Sequence, residues 1–125
     1  MFEFLKKFKQ KALVYGKSSE KTAEKYLRKK GYKIVETNYR CKKGEIDIIA
    51  LHKKYLVFCE VKARRNQTYG SALEAVTPSK IRKIRLTAED YLLKKNLKDA
   101  DCRFDVLTID ETPDGTRMEL ITNAF

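Results

Sequence analysis

The chain contains one histidine, His52, and no tryptophan. His52 sits beside Lys53 and Lys54, where the apolar pattern breaks as in a tight turn, so it reads as a surface residue and gives a Ser-His-Asp or Cys-His centre no imidazole to build on. Cysteines are few and odd in number: Cys41, Cys59 and Cys102 are widely spaced, which excludes a disulfide framework and a close-paired zinc site. The five glycines form no phosphate-cradling loop, so a nucleotide-hydrolysing site has no support. Long apolar runs are missing too. The longest, Tyr55 to Cys59, is far short of a membrane span, and the first residues lack the apolar segment of a signal peptide, so a cytoplasmic protein with reduced thiols is expected.

Acids are outnumbered: 17 Asp and Glu stand against 28 Lys and Arg, a net charge of +11 over 125 residues. Such an excess suits a polyanion, with nucleic acid the first candidate and an indifferently basic soluble protein the bland alternative. A chain of this length with 42% hydrophobic residues can bury one core without disulfides, and one domain over residues 1–125 is expected. Phe2, Leu5 and Phe8 alternate with Lys6, Lys7, Lys9 and Lys11. That pattern fits a terminal helix packed on its own domain better than one lying on an anionic membrane, and no membrane partner is expected.

Local signals lay out the rest. Ser18 or Ser19 can cap a helix running to Lys30 and stopped by Gly31, with Ala23, Tyr26 and Leu27 on its apolar face and Glu20 turned nearer that face than Glu24. Strands are predicted over Tyr32 to Tyr39, Glu45 to Leu51 and Tyr55 to Lys62, followed by a polar loop around Asn66 to Gly70. Thr77 and Pro78 read as N-cap and first residue of a helix carrying Ile81, Ile84, Ala88, Tyr91 and Leu92 at helical spacing. A strand from Arg103 to Asp110, a Pro113-Asp114-Gly115 turn and a return through Met118 to Thr122 complete the chain. The strand, crossover helix and strand form a βαβ unit, so the fold class is α/β with a mixed sheet flanked by helices.

The chemistry comes from one hairpin. If Lys53 and Lys54 are its two central turn residues, Asp47 faces Glu60 and Glu45 faces Lys62, while alternation keeps Glu60 and Lys62 on one face. Opposed carboxylates repel unless a proton or cation lies between them, and hard oxygen donors suit Mg²⁺, with Mn²⁺ as a substitute. Glu20 can supply an outer ligand. Lys62 can orient an attacking water or balance charge on a phosphate undergoing in-line displacement. The competing reading is a solvated strand end with two acids and a lysine, common where 36% of residues are charged.

The segments Gly44-Glu45-Ile46-Asp47-Ile48-Ile49-Ala50 and Leu56-Val57-Phe58-Cys59-Glu60-Val61-Lys62-Ala63-Arg64 resemble the YraN family of bacterial proteins. That family belongs to the PD-(D/E)xK restriction-endonuclease-like superfamily and is similar to archaeal Holliday-junction resolvases. The resemblance extends through Glu20-Lys21-Thr22-Ala23, Tyr26-Leu27, Tyr69-Gly70, Glu74-Ala75-Val76, Lys80 and Arg103-Phe104-Asp105-Val106. It implies a restriction-endonuclease-like fold, a catalytic set of Glu20, Asp47, Glu60 and Lys62, and a metal held by Glu20, Asp47, Glu60 and Val61. Ser19 and Cys59 replace the glycine and valine commoner in the family, and the superfamily's proline before the aspartate is absent; none of these removes a chemical group.

Basic residues flank this set: Arg40, Lys42 and Lys43 before the hairpin, Arg64 and Arg65 after it, and Lys80, Arg82, Lys83 and Arg85 on the second helix. They would hold a phosphate backbone without reading bases. The expected function is a Mg²⁺-dependent endonuclease on branched or single-stranded DNA, with a DNA-translocating ATPase and a second copy of the chain as partners. A non-catalytic nucleic-acid-binding or bridging subunit is the alternative.

Overall fold

The computed structural model describes residues 19–65 and 76–125. The amphipathic pattern at Phe2 to Lys11, the cap at Ser18, the polar loop at Asn66 to Gly70, Glu74 and the Arg65 side chain lie outside the described part.

Helix α1 covers residues 19–29, with Ser19 already inside it. Ala23 and Leu27, one turn apart, are fully buried, and Tyr26 packs beside them. Gly31 ends the helix at φ 91°, where the Tyr32 N–H reaches the Leu27 carbonyl (3.0 Å) and the Gly31 N–H that of Arg28 (3.1 Å). This double closure needs a left-handed residue, which glycine supplies without a Cβ clash. Tyr32 therefore belongs to the helix stop and not to the strand.

Among the described residues five strands follow in a sheet whose spatial order is their chain order: β1 (Lys33–Cys41), β2 (Gly44–His52), β3 (Tyr55–Arg65), β4 (Cys102–Thr112) and β5 (Gly115–Ile121). All neighbours are antiparallel except β3 and β4, which run parallel. Helix α2 (Pro78–Lys94) is the crossover between those two, its first N–H groups capped by Thr77 Oγ1, which accepts from Lys80 N. The sheet is mixed, and the α/β architecture is consistent with a restriction-endonuclease-like fold. β3 runs three residues past Lys62 because β4 pairs with it as far as Arg65 opposite Glu111. β4 and β5 similarly lengthen until Thr112 meets Gly115 across the turn.

Two apolar layers cover the sheet. Leu56 and Phe58 of β3 pack with Ile84, Ala88 and Tyr91 of α2, whereas Val57 and Cys59, pointing the other way, pack with Ala23 and Leu27 of α1. Each such buried large side chain stabilises the fold by about 1.5–3 kcal/mol. Alternation places Glu60 and Lys62 on the α2 side. β2 alternates less evenly: Ile46 joins the α2-side layer and Ile48 the α1-side layer, with Asp47 between them. Opposite this break, Asn38 of β1 adopts φ 54°; a separate register shift, between Ile34 and Glu36, lies opposite Ile49 and Ala50. The distortion of β1 and β2 at Asn38 and Asp47 frees the Asp47 side chain from an ordinary ladder position.

Among the described residues no helix is long and apolar enough to cross a membrane.

Candidate active site

The β2–β3 hairpin has the register set by a Lys53-Lys54 turn, with His52 opposite Tyr55 and so on to Ile48 opposite Cys59. There the ladder stops, one step before Asp47 and Glu60. The ladder ends where β2 changes face between Ile46 and Ile48, while β3 stays paired with β4. Asp47 reaches across the gap instead: its Oδ2 accepts the Val61 N–H at 2.8 Å. A strand amide left open by the diverging partner is thereby satisfied, and the carboxylate is fixed beside Glu60.

Glu60 is buried, at 8% exposure. Burial, then the neighbouring Asp47 charge, pushes its carboxyl from the usual 4.5 up to about 7, against the opposing pull of Lys80 and Lys62. Asp47 is raised as well, by burial first; the Val61 N–H and Lys80 oppose that rise, and Glu45 and Glu20 add to it. The two acids share one desolvated place where both cannot comfortably be ionised. Lys80, from the first turn of α2, brings Nζ to 3.8 Å from Glu60 Oε1. Lys62 is exposed on the same side of β3 as Glu60 and lies close enough to favour its ionised form.

Glu20 is placed differently. It is half-buried on α1 and accepts a hydrogen bond from Asn38 Nδ2 at 3.2 Å, acting on Asp47 through space. Among the described residues no three His, Cys, Asp or Glu side chains converge on a common cation position. The donor set brought together is two carboxylates, Asp47, which accepts the Val61 N–H, and Glu60. Mg²⁺ keeps several waters and commonly takes only one or two protein carboxylates, so a pair of carboxylates fits it.

The basic residues divide into three groups. Arg40, Lys42, Lys43, Lys80 and Lys83 line one open cleft of about 570 Å³ with Cys41, Gly44 and Glu45, between the β1–β2 turn and α2. Gly44 permits this approach, since a Cβ there would stand 2.9 Å from Thr87 Oγ1. Glu45 offsets only part of the charge and is itself paired with Arg40 at 3.3 Å. Arg82 is exposed on α2 but does not line the cleft. Arg64 departs from expectation: its guanidinium grips Asp110 with two bonds, Nε to Oδ1 at 2.6 Å and Nη2 to Oδ2 at 3.0 Å, with both side chains 12% exposed. A guanidinium so engaged is a clamp between the parallel strands β3 and β4, not a free contact for phosphate.

A second polar cluster centres on the Arg103-Phe104-Asp105-Val106 segment. Asp105, fully buried on β4, accepts from Tyr32 Oη (2.7 Å), from Arg103 twice (2.9 and 2.8 Å) and from Asn123 N (3.0 Å). His52 stacks on Tyr32 with centroids 4.1 Å apart and contacts Arg103 through Nδ1 at 2.9 Å. It is a packed strand-end residue, not a surface turn, and burial followed by the Arg103 charge lowers its pKa. The cluster joins α1, β2, β4 and the C-terminal residues.

Comparison with known proteins places these residues in context. The model of the uncharacterised protein family UPF0102 matches residues 19–109, from α1 through β4. A UPF0102 protein of Hahella chejuensis is 44% identical over 92% of this chain and 92% of its own length. Those of Syntrophus aciditrophicus and Caldanaerobacter subterraneus are 46% and 42% identical, covering 88% and 97% of this chain and 87% and 100% of theirs.

Proposed function

The chain belongs to the UPF0102 family, whose members are named without a function, and from that premise we propose that it is a divalent-metal-dependent nuclease acting on branched or single-stranded DNA in the cytoplasm. The observation that carries this reading is the Asp47–Glu60 pair, two desolvated carboxylates held together beside a cleft lined by five cations. A fold keeps like charges this close at a cost in stability, which is understandable where a cation completes the site.

Mg²⁺, or Mn²⁺ in its place, would supply neutralisation of the paired acids and polarisation of the scissile phosphate. The rest falls to the chain's own groups. Arg40, Lys42, Lys43 and Lys83 hold the phosphate backbone in the cleft. Asp47 stays oriented by the Val61 N–H, Glu60 presents its carboxylate from the α2 side, and Glu20 stands behind with Asn38. Lys62, exposed beside Glu60, steadies the attacking water and the charge that gathers on the phosphate. Water gives up a proton to solvent and adds to phosphorus as the P–O bond to the leaving strand breaks, and the departing oxygen takes a proton back from solvent. No base-reading element adjoins the cleft among the described residues, so recognition rests on backbone geometry. A DNA-translocating ATPase and a second copy of the chain are partners consistent with so small a unit.

One observation favours a second reading, a binding or bridging subunit that does not cut: Glu20 is tied to Asn38 and does not join the pair. The pure protein, incubated with junction, flap and single-stranded DNAs in Mg²⁺, Mn²⁺ or chelator, separates the two. Metal-dependent cleavage supports the nuclease; binding that persists in chelator without cleavage under any metal supports the subunit.

A further inference from the structure

Lys80 belongs to two places at once. Its Nζ lies 3.8 Å from Glu60, and its side chain also lines the basic cleft with Arg40, Lys42, Lys43 and Lys83. The two ends of this ion pair are unequal: the lysine side chain is 45% exposed and the glutamate 10%. Glu60 is therefore fixed in the sheet, while the ammonium is at the end of a flexible four-carbon stem. Where that stem starts is rigid. The Lys80 N–H is held by Thr77 Oγ1 at 3.2 Å, and one turn later Ile84 is anchored at 2% exposure under the sheet-facing layer. Any change of partner by Lys80 is then a side-chain swing, with no movement of α2.

An ammonium at this distance supplies part of the positive charge that two adjacent carboxylates require. It also repels a divalent cation arriving at the same oxygens. We infer that Lys80 is the protein's own stand-in for the divalent ion: it sits on Glu60 when the ion is absent, leaves when the ion binds, and then turns into the cleft to hold a phosphate. Resting on the nuclease reading, this makes Lys80 a positioning residue that links the two ligands. The ion releases a cation to the backbone site, and a backbone in the cleft draws that cation off Glu60. By linkage each ligand tightens the other by the same factor.

The test uses the whole protein and two probes, Mn²⁺ alone and heparin, a polyanion that the enzyme cannot cleave. Free Mn²⁺ is read by paramagnetic resonance during titration of the parent, Lys80→Gln and Lys80→Arg. Lys80→Gln should bind Mn²⁺ about fivefold more tightly than the parent, the scale of a partly exposed ion pair, and Lys80→Arg should stay near the parent. Heparin affinity, measured in chelator and in saturating Mn²⁺, should fall on Lys80→Gln at least about fivefold more with Mn²⁺ than without. A Lys80→Gln protein that binds Mn²⁺ equally well or more weakly overturns the inference and leaves the nuclease reading standing. A parent that binds no Mn²⁺ overturns both.

Discussion

Replacing Glu60 by glutamine keeps the shape of a buried side chain and removes the charge that its surroundings resist. In the folded protein the Glu60 carboxyl is pushed from 4.5 to about 7, chiefly by burial and then by Asp47. A folded-state pKa above the unfolded one means that the protonated acid favours folding: its contribution is full below about pH 4.5 and is lost as pH rises through about 7. The loss amounts to about 3 kcal/mol at pH 8 relative to pH 4, from about 1.4 kcal/mol for each pH unit by which the two states differ. The variant has no such proton, so the stability difference between variant and parent should change in the variant's favour by about that amount. The Lys80 ion pair that it forfeits is half-exposed and worth under about 1 kcal/mol. Urea unfolding in chelator at several pH values between about 4.5 and 8 measures this directly. A difference between the two proteins that does not vary with pH would refute the reasoning, because Glu60 would then titrate as an ordinary surface acid.

Other expectations follow from the same groups. Asp47→Asn keeps an oxygen for the Val61 N–H and should melt at or above the parent in chelator, whereas Asp47→Ala strands that amide and should lose about 1–3 kcal/mol; Mg²⁺ should stabilise the parent more than either variant. Asp105→Ala removes the acceptor of Tyr32, Arg103 and Asn123 at once and should cost about 3–5 kcal/mol in chemical unfolding, with no direct effect on polyanion binding because none of these residues lines the cleft. Arg40→Ala with Lys83→Ala should flatten the slope of log affinity against log salt by roughly one for each phosphate that is no longer neutralised. Arg64→Ala should leave that slope unchanged while destabilising the fold by about 3 kcal/mol, since its guanidinium serves Asp110.

The hairpin shows what could be read in advance and what could not. A two-residue turn at Lys53-Lys54 fixes the register of β2 against β3, and alternation fixes which side Glu60 and Lys62 share, so both were legible from local pattern. The end of the ladder at Ile48 and Cys59 was not. It coincides with Asn38 at φ 54° on a neighbouring strand, and nothing near Asp47 in sequence announces that distortion. The same break decides how Asp47 is held, through the Val61 amide instead of a cross-strand position. The helix stop at Gly31 and the Thr77 cap were visible because a single residue type carries each.

The misassigned residues share a different cause. Arg64 and Asp110 are 46 positions apart and meet only because β3 and β4 pair in parallel, a register that depends on the length of the whole crossover. Tyr32, His52, Arg103 and Asp105 likewise come from α1's end, β2's end and β4, so no spacing rule could connect them. Lys80 was readable as a cation near the site. Its pairing with Glu60 required the placement of α2 over the sheet.

Cleavage and binding measured side by side on the parent, Glu60→Ala and Lys62→Ala test the central claim most directly. With Mg²⁺ or Mn²⁺ present, the parent should cut a branched or single-stranded DNA. Both variants should lose cleavage by at least about a hundredfold while retaining affinity within a few-fold, because neither lines the five-cation cleft. Undiminished cutting by a purified Glu60→Ala protein would contradict the account, and the paired carboxylates would then not be the reactive centre.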